Sequence, residues 1–395
     1  MKVKVRKGDT LWYYSKLFQL PLPLILDSNR NLDQNNLQVG SEVCIPGYEA
    51  LHVSKNKLES IQSYAQKLQL PLDSLHLLNQ STPDIDGVTN LTIPRRLTGN
   101  EINVVQKMNS TSLSKNIRHL EKMFPFIKVE TIGHSVLGKP IHHLQVGRGK
   151  KKVHFNGSFH ANEWITTVVI MKFLNDYLHS LINATPVRSL YMFPFYEEVT
   201  LSIVPMVNPD GVDLVLNGLP KDSELANEVL NINQGRDEFT AWKANIRGVD
   251  LNNQYPANWE IEKERKIPKS PAPRDYPGDA PLTEPEALAM SKLAEREDFD
   301  RVLAFHTQGE EFYWGYEGFE PQVSHNLAKE FESVSSYKAV QYVDSHAGYK
   351  DWFIKEFQKP GFTLELGKGI NPLPLSHFPN VYKKTLGIML AALYM

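Results

Sequence analysis

The chain has 395 residues, a formal net charge of −2, 41% hydrophobic residues and a single cysteine, Cys44. That length exceeds one ordinary domain, and the near-neutral balance makes no case for nucleic acid or a membrane as a partner. One cysteine excludes internal disulfides, and no apolar run approaches the roughly 18 residues that span a bilayer or forms a leader before the first patterned segment, so a cytoplasmic protein is the simplest expectation, with release on lysis or export by another route as the alternative.

The first hundred residues hold an internal echo. Val3 to Trp12 opens a segment that closes at Val43-Cys44-Ile45-Pro46, and Leu51-His52-Val53 opens another that closes at Leu91-Thr92-Ile93-Pro94, an offset of about 48 residues. Leu20-Pro21-Leu22 is echoed by Leu70-Pro71-Leu72, and Asn29 by Asn79. Each unit reads as strand, helix, helix, strand, a small α+β module near the lower size limit for independent folding. The pair resembles LysM modules, which bind N-acetylglucosamine-containing glycans. The first carries Gly8-Asp9-Thr10-Leu11, Asn29 and Val39-Gly40; the second is degenerate, with Lys55-Asn56-Lys57-Leu58 in place of Gly-Asp-Thr, and is either a weak second grip or a spacer. The expected division is 1–48 and 49–96 for the repeats, a polar linker over 97–114, and a body over 115–395.

Within the body, Val153 to Phe159 alternates like a strand and runs into His160-Ala161-Asn162-Glu163, followed by a helical apolar stretch. An imidazole and a carboxylate three residues apart on a strand-to-helix turn can share one divalent metal, with a third ligand coming from elsewhere. His-x-x-Glu alone is weak evidence. Arg301 to Phe305 reads as a buried strand ending in His306, which places a second imidazole at a strand terminus. Gly361 to Gly367 then alternates with Phe362, Leu364 and Leu366 on one face and Glu365 on the other, and a carboxylate in such a strand implies a polar cleft. Between these segments, Asn258 to Asp279 mixes lysines and prolines and reads as a surface insertion beside Asn252-Asn253, a solvated charge run rather than part of a cleft wall.

Six segments in this order resemble the zinc carboxypeptidases over residues 105–395: Gly133 to Ile141, Phe159 to Thr167, Val204 to Gly211, Arg247 to Asn252, His306, and Phe362 to Leu366. The resemblance implies an α/β fold, a mixed twisted sheet flanked by helices. It also implies one Zn2+ per chain on His160, Glu163 and His306, with Glu365 as general base. For the oxyanion it leaves Lys243 and Arg247, of which Arg247 is favoured, and it makes Asp250 the carboxylate that orients a ligating imidazole, unless Asp250 is only a turn former. Asn252 corresponds to a substrate-binding asparagine. Tyr342 to Trp352 is similar to the mobile tyrosine loop and the lining of the pocket for the leaving residue, with Lys350, or its neighbour Tyr349, at the specificity position, where a cation suits an acidic side chain.

One departure is informative. The family's Asn-Arg pair, whose guanidinium clamps a terminal carboxylate, is here Asn252-Asn253, and an amide cannot form that bidentate ionic fork. Glycan modules ahead of an altered peptidase resemble the bacterial γ-D-glutamyl-meso-diaminopimelate peptidases, which implies peptidoglycan stem peptides as substrate and a role in sporulation or at the cell wall. The alternatives are an ordinary metallocarboxypeptidase, a glycan-binding protein with an inactive peptidase domain, and a zinc amidohydrolase of small acyl amino acids.

Overall fold

The computed structural model describes residues 1–99, 101–102 and 106–395. It divides into two compact units, the first of Met1–Glu101, Asn116–Lys128 and Asn175–Phe193, the second of Ile102–Lys115, Val129–Leu174 and Pro194–Met395. Part of the expected linker, Asn100 and 103–105, lies outside the described residues. The helix Ser110–Met123 runs through the expected 114/115 boundary, because its apolar positions recur at helical spacing and bury Leu113, Ile117 and Leu120.

In the first unit, β1 (Lys2–Lys4) pairs antiparallel with β2 (Glu42–Cys44), and β3 (Tyr48–Ser54) with β4 (Asn90–Arg96). Two short helices lie between the strands of each pair, Leu11–Leu17 and Leu22–Asp27 in one, Ile61–Lys67 and Leu72–Leu78 in the other. Thr10 and Ser60 cap the first helix of each by accepting from the backbone N–H of Tyr13 and Ser63. Asn29 makes the echo structural. Its amide donates to Ile25 O and Cys44 O while its oxygen accepts from Cys44 N, and Asn79 repeats this with Leu75 O, Thr92 O and Thr92 N. One buried amide thus ties the end of the second helix to the closing strand in each copy.

Among the described residues the second unit is built on an eight-stranded sheet, ordered β11-β10-β12-β9-β7-β8-β6-β5. The strands are β5 (Lys128–His134), β6 (Pro140–Val146), β7 (Lys151–Gly157), β8 (Val199–Val204), β9 (Arg301–His306), β10 (Glu311–Tyr313), β11 (Lys338–Val340) and β12 (Gly361–Glu365). The central four, β8, β7, β9 and β12, run parallel, whereas β6 on β8 and β10 on β12 are antiparallel, so the sheet is mixed. β9 is buried along its whole length, as a parallel strand covered on both faces must be. One face packs through Val204, Val302 and Ala304 on the helices Pro285–Glu297 and Tyr349–Phe357; on the other, Phe155 meets Phe173 of the helix Ile165–Asn183. The carboxyl ends of the parallel strands therefore open together, the usual place for a site in such a sheet. No helix among the described residues is long and apolar enough to cross a membrane.

Candidate metal centre and cleft

Leaving β7, the chain turns through Ser158 and Phe159 to His160, and a single 3-10 turn, Ala161–Glu163, carries Glu163 back beside it. That turn is held by Thr166 Oγ1 donating to Glu163 O and by Ala161 N donating to Lys243 O. His160 Nδ1 and Glu163 Oε1 are 2.9 Å apart; His306 Nδ1, at the end of β9, is 2.9 Å from Glu163 Oε2 and 3.2 Å from His160 Nδ1. All three side chains are buried, and their donor atoms lie within 4.8 Å of one another.

Two ring nitrogens facing each other at 3.2 Å can share either a proton or a metal ion. His160 Nε2 donates to Asp250 Oδ1 at 3.2 Å, which leaves the Nδ1 lone pair pointing at His306. Zn–N bonds of about 2.0–2.1 Å on a tetrahedron put neighbouring donors about 3.3 Å apart, so this nitrogen, nitrogen and carboxylate set fits zinc and leaves a fourth position free. Asp250 lies where a carboxylate would orient the His160 ring, with its other oxygen accepting from Asp275 N at 3.3 Å.

The charges follow from burial and proximity. Burial raises Glu163, but His160 and His306 outweigh it and hold the carboxyl well below its ordinary range. Asp250 is likewise held low against burial, by His160, Lys243 and Lys266. His160 is lowered by burial and raised more by Glu163 and Asp250, to about 9, whereas for His306 burial wins and its value falls. Glu365 ends β12 directly beside His306 of β9. Burial and the Glu163 charge push its carboxyl up to about 8.

The remaining expected residues divide. Asn252 accepts from Tyr349 N at 3.2 Å, and Asn253 is buried with no hydrogen-bond partner for its side chain among the described residues. Arg247 turns away: its side chain is exposed and lies 3.5 Å from Glu284, because the Asn245 to Val249 turn, closed by Asn245 Oδ1, directs it outward. Lys243 is the cation whose charge reaches His160, Asp250, His306 and Glu365, and its ammonium makes no ion pair or hydrogen bond among the described residues. Lys350 is not a free cation. It is 4% exposed, donates to Gly315 O at 2.9 Å, and pairs with Asp351 at 2.5 Å. Tyr342 is exposed, and its hydroxyl donates to Glu320 at 2.6 Å on the surface instead of joining the metal ligands.

Two contributors went unread in the sequence. Asn371 Nδ2 lies 3.5 Å from Glu163 Oε1 and is steadied by Thr307, through Thr307 O and Thr307 Oγ1. Nothing in Lys368 to Leu373 signals this, since the contact depends on a loop returning over β9. Glu311, opposite Glu365 in the β10–β12 register, adds a second negative charge that raises Glu365.

The zinc carboxypeptidase family model matches residues 113–386, and the LysM domain model matches residues 3–46. The chain is 48% identical over 397 residues to gamma-D-glutamyl-L-diamino acid endopeptidase 1 of Lysinibacillus sphaericus, covering 100% of both chains. It is also 44% identical to the uncharacterized protein YqgT of Bacillus subtilis (strain 168), covering 87% of this chain and 94% of that one. Two solved structures share the fold: thrombin activatable fibrinolysis inhibitor (19% identity, TM-score 0.59, 73% and 74% covered) and the carboxypeptidase A of Helicoverpa armigera (16%, 0.55, 88% and 98%). With its matched model, its mixed sheet and its His160, Glu163 and His306 cluster, this chain belongs to the zinc carboxypeptidase family, is a zinc peptidase, and carries a LysM domain at its N-terminal end.

Proposed function

We propose that this chain hydrolyses the γ-D-glutamyl to meso-diaminopimelate amide of peptidoglycan stem peptides. The observation that carries the reading is the end-to-end likeness, at 48% identity, to a gamma-D-glutamyl-L-diamino acid endopeptidase. The Asn253 amide supports it, because a site without a guanidinium clamp does not demand a terminal carboxylate.

His160, Glu163 and His306 hold the metal, with Asp250 fixing the His160 tautomer. Zinc, when bound, polarises the scissile carbonyl and lowers the pKa of water. Glu365 takes the proton of the attacking water and delivers it to the leaving amine. Lys243 supplies positive charge to the oxyanion as the carbonyl becomes tetrahedral, and Asn252 and Asn253 hold the peptide. Tyr342 closes over the substrate from the surface position it occupies here.

The first repeat grips N-acetylglucosamine-containing glycan, which places the enzyme at the cell wall or on its fragments, in a remodelling or sporulation role. The second repeat is a LysM copy in architecture, on the strength of Asn79 repeating the bonds of Asn29, and it adds a weaker grip. The test is incubation of the zinc-loaded chain with L-Ala-γ-D-Glu-meso-diaminopimelate, with products identified by mass spectrometry. Free diaminopimelate supports the reading; intact substrate with zinc bound overturns it.

A further inference from the structure

Two imidazoles and one carboxylate make the metal cluster, and the carboxylate is the member hardest to aim. Glu163 sits on the turn Ala161–Glu163 with three side-chain torsions between backbone and oxygen, so the turn places its Cα without fixing its carboxylate. Oε1 is 2.9 Å from His160 Nδ1, and Oε2 is 2.9 Å from His306 Nδ1. Those nitrogens are themselves ligand atoms, and a nitrogen whose lone pair faces a metal has no proton to give to Glu163. A third contact is free of that conflict. Asn371 Nδ2 stands 3.5 Å from Glu163 Oε1, and an amide N–H donates without competing for the cation.

The Asn371 amide is held in one orientation. Its Oδ1 accepts from Thr307 Oγ1 at 2.7 Å and its Nδ2 donates to Thr307 O at 2.9 Å, which uses one N–H and turns the other towards Glu163. Turning the amide over would set its oxygen against a carbonyl and a carboxylate. Thr307 is buried and directly follows the ligand His306, so one amide joins the turn that carries Glu163 to the strand end that carries His306. The loop behind it is anchored at both ends. Gly309 N donates to Gly367 O at 2.7 Å, and Leu373 is buried against Gly367 and Gly369, where an added Cβ would come within 2.9 and 3.1 Å of its methyl groups. Between these anchors the loop passes through solvent at Ile370 and returns at Asn371.

We infer that Asn371 is a positioning residue for the metal ligand Glu163. Its amide turns the carboxylate towards the two imidazoles before an ion arrives, and it still donates to Glu163 once their lone pairs are engaged. A flexible carboxylate is thereby ordered during folding, so its lost torsional freedom is not subtracted from the affinity for the metal. The contact acts on the metal site and is independent of which amide the enzyme cleaves.

The experiment is competition for Zn2+ between the full chain and a chromogenic chelator, beside the visible absorption of the Co2+-loaded chain, which reads the ligand geometry. Asn371→Ala should weaken zinc binding about 10–100-fold, shift the Co2+ bands and leave the Tm of the chelated chain where it was. Thr307→Val keeps Asn371 but removes a bond that holds its amide, so it should weaken zinc binding by a smaller factor; it reads the same contact if Asn371→Ala fails to fold. Added to Asn371→Ala, Thr307→Val should change the affinity no further, because the two act through one contact. Wild-type zinc affinity and Co2+ bands in Asn371→Ala overturn the inference, as does a Thr307→Val loss that persists in full in the Asn371→Ala background. A Tm of the chelated chain that falls in step with affinity also overturns it, because Asn371 would then only brace the loop.

Discussion

His306 and Glu365 are register partners across the parallel strands β9 and β12, so a metal ligand and the group proposed as general base stand side by side at two adjacent strand ends. Strands move little relative to each other once their ladder is formed, and the pairing places the Glu365 carboxyl without a loop to position it. Burial raises its pKa most, and the charges of Glu163, on the turn after β7, and Glu311, opposite it on β10, add to the rise.

Glu365→Gln keeps the shape and removes the base. The expected result is a fall in kcat of about 10²–10⁴-fold with zinc content unchanged. Metal analysis beside steady-state kinetics checks it, and wild-type turnover in this variant would exclude Glu365 as the proton carrier.

Asp250→Ala frees the His160 ring to rotate and to change tautomer. Zinc affinity should fall about 10–100-fold, measured by competition with a chelator, while the fold persists. Unchanged affinity would reduce Asp250 to a turn former.

Lys243 and Arg247 are separated by a paired comparison. Lys243→Met should lower kcat by about 10²-fold, as loss of an oxyanion donor does, and Arg247→Met should leave it within about twofold. The reverse pattern would return the role to Arg247.

The metal-free chain should lose thermal stability as pH rises from about 7 to 9. Folded Glu365 and Glu286 have pKa values raised to about 8 and 7, and His160 to about 9, so once the pH is above the ordinary histidine value, where the lowered His306, His154 and His143 are neutral in both states, the folded state holds more protons than the unfolded one. Their contribution is fullest below the unfolded values and is lost as pH passes the folded ones. Zinc binds only the deprotonated ligands, so the gain in Tm on adding it should grow over the same range. A Tm of the chelated chain that rises from pH 7 to 9 would contradict this.

Asn253→Arg rebuilds a guanidinium where the ordinary carboxypeptidases have one. Cleavage should shift towards peptides with free apolar C-termini at the expense of γ-D-glutamyl substrates. A substrate profile that does not move would detach Asn253 from specificity.

The metal ligands were legible in the chain because each chemical group is tied to a local pattern. His160 and Glu163 share one strand-to-helix turn, His306 ends a buried strand, and Glu365 stands opposite the apolar face of its strand, so residue type and period made them candidates and the family resemblance joined them into one set. The two N-terminal modules were legible for a similar reason, as a spacing that repeats. The direction of long side chains was not. Arg247 and Lys243 are four residues apart on one segment, yet the Asn245 turn sends Arg247 outward to Glu284 while the charge of Lys243 acts on the His160 cluster. Lys350 reads in sequence as a free cation, yet folding buries it against Gly361 and pairs it with Asp351. Asn371 reaches Glu163 across more than two hundred residues of chain. By itself the sequence determined which groups could bind a metal and move a proton, because those depend on side-chain chemistry and strand or helix period. Which cation faces the cleft, which charge is neutralised and which distant amide arrives was decided only by tertiary structure, because desolvation and pairing depend on neighbours that the chain does not list in order.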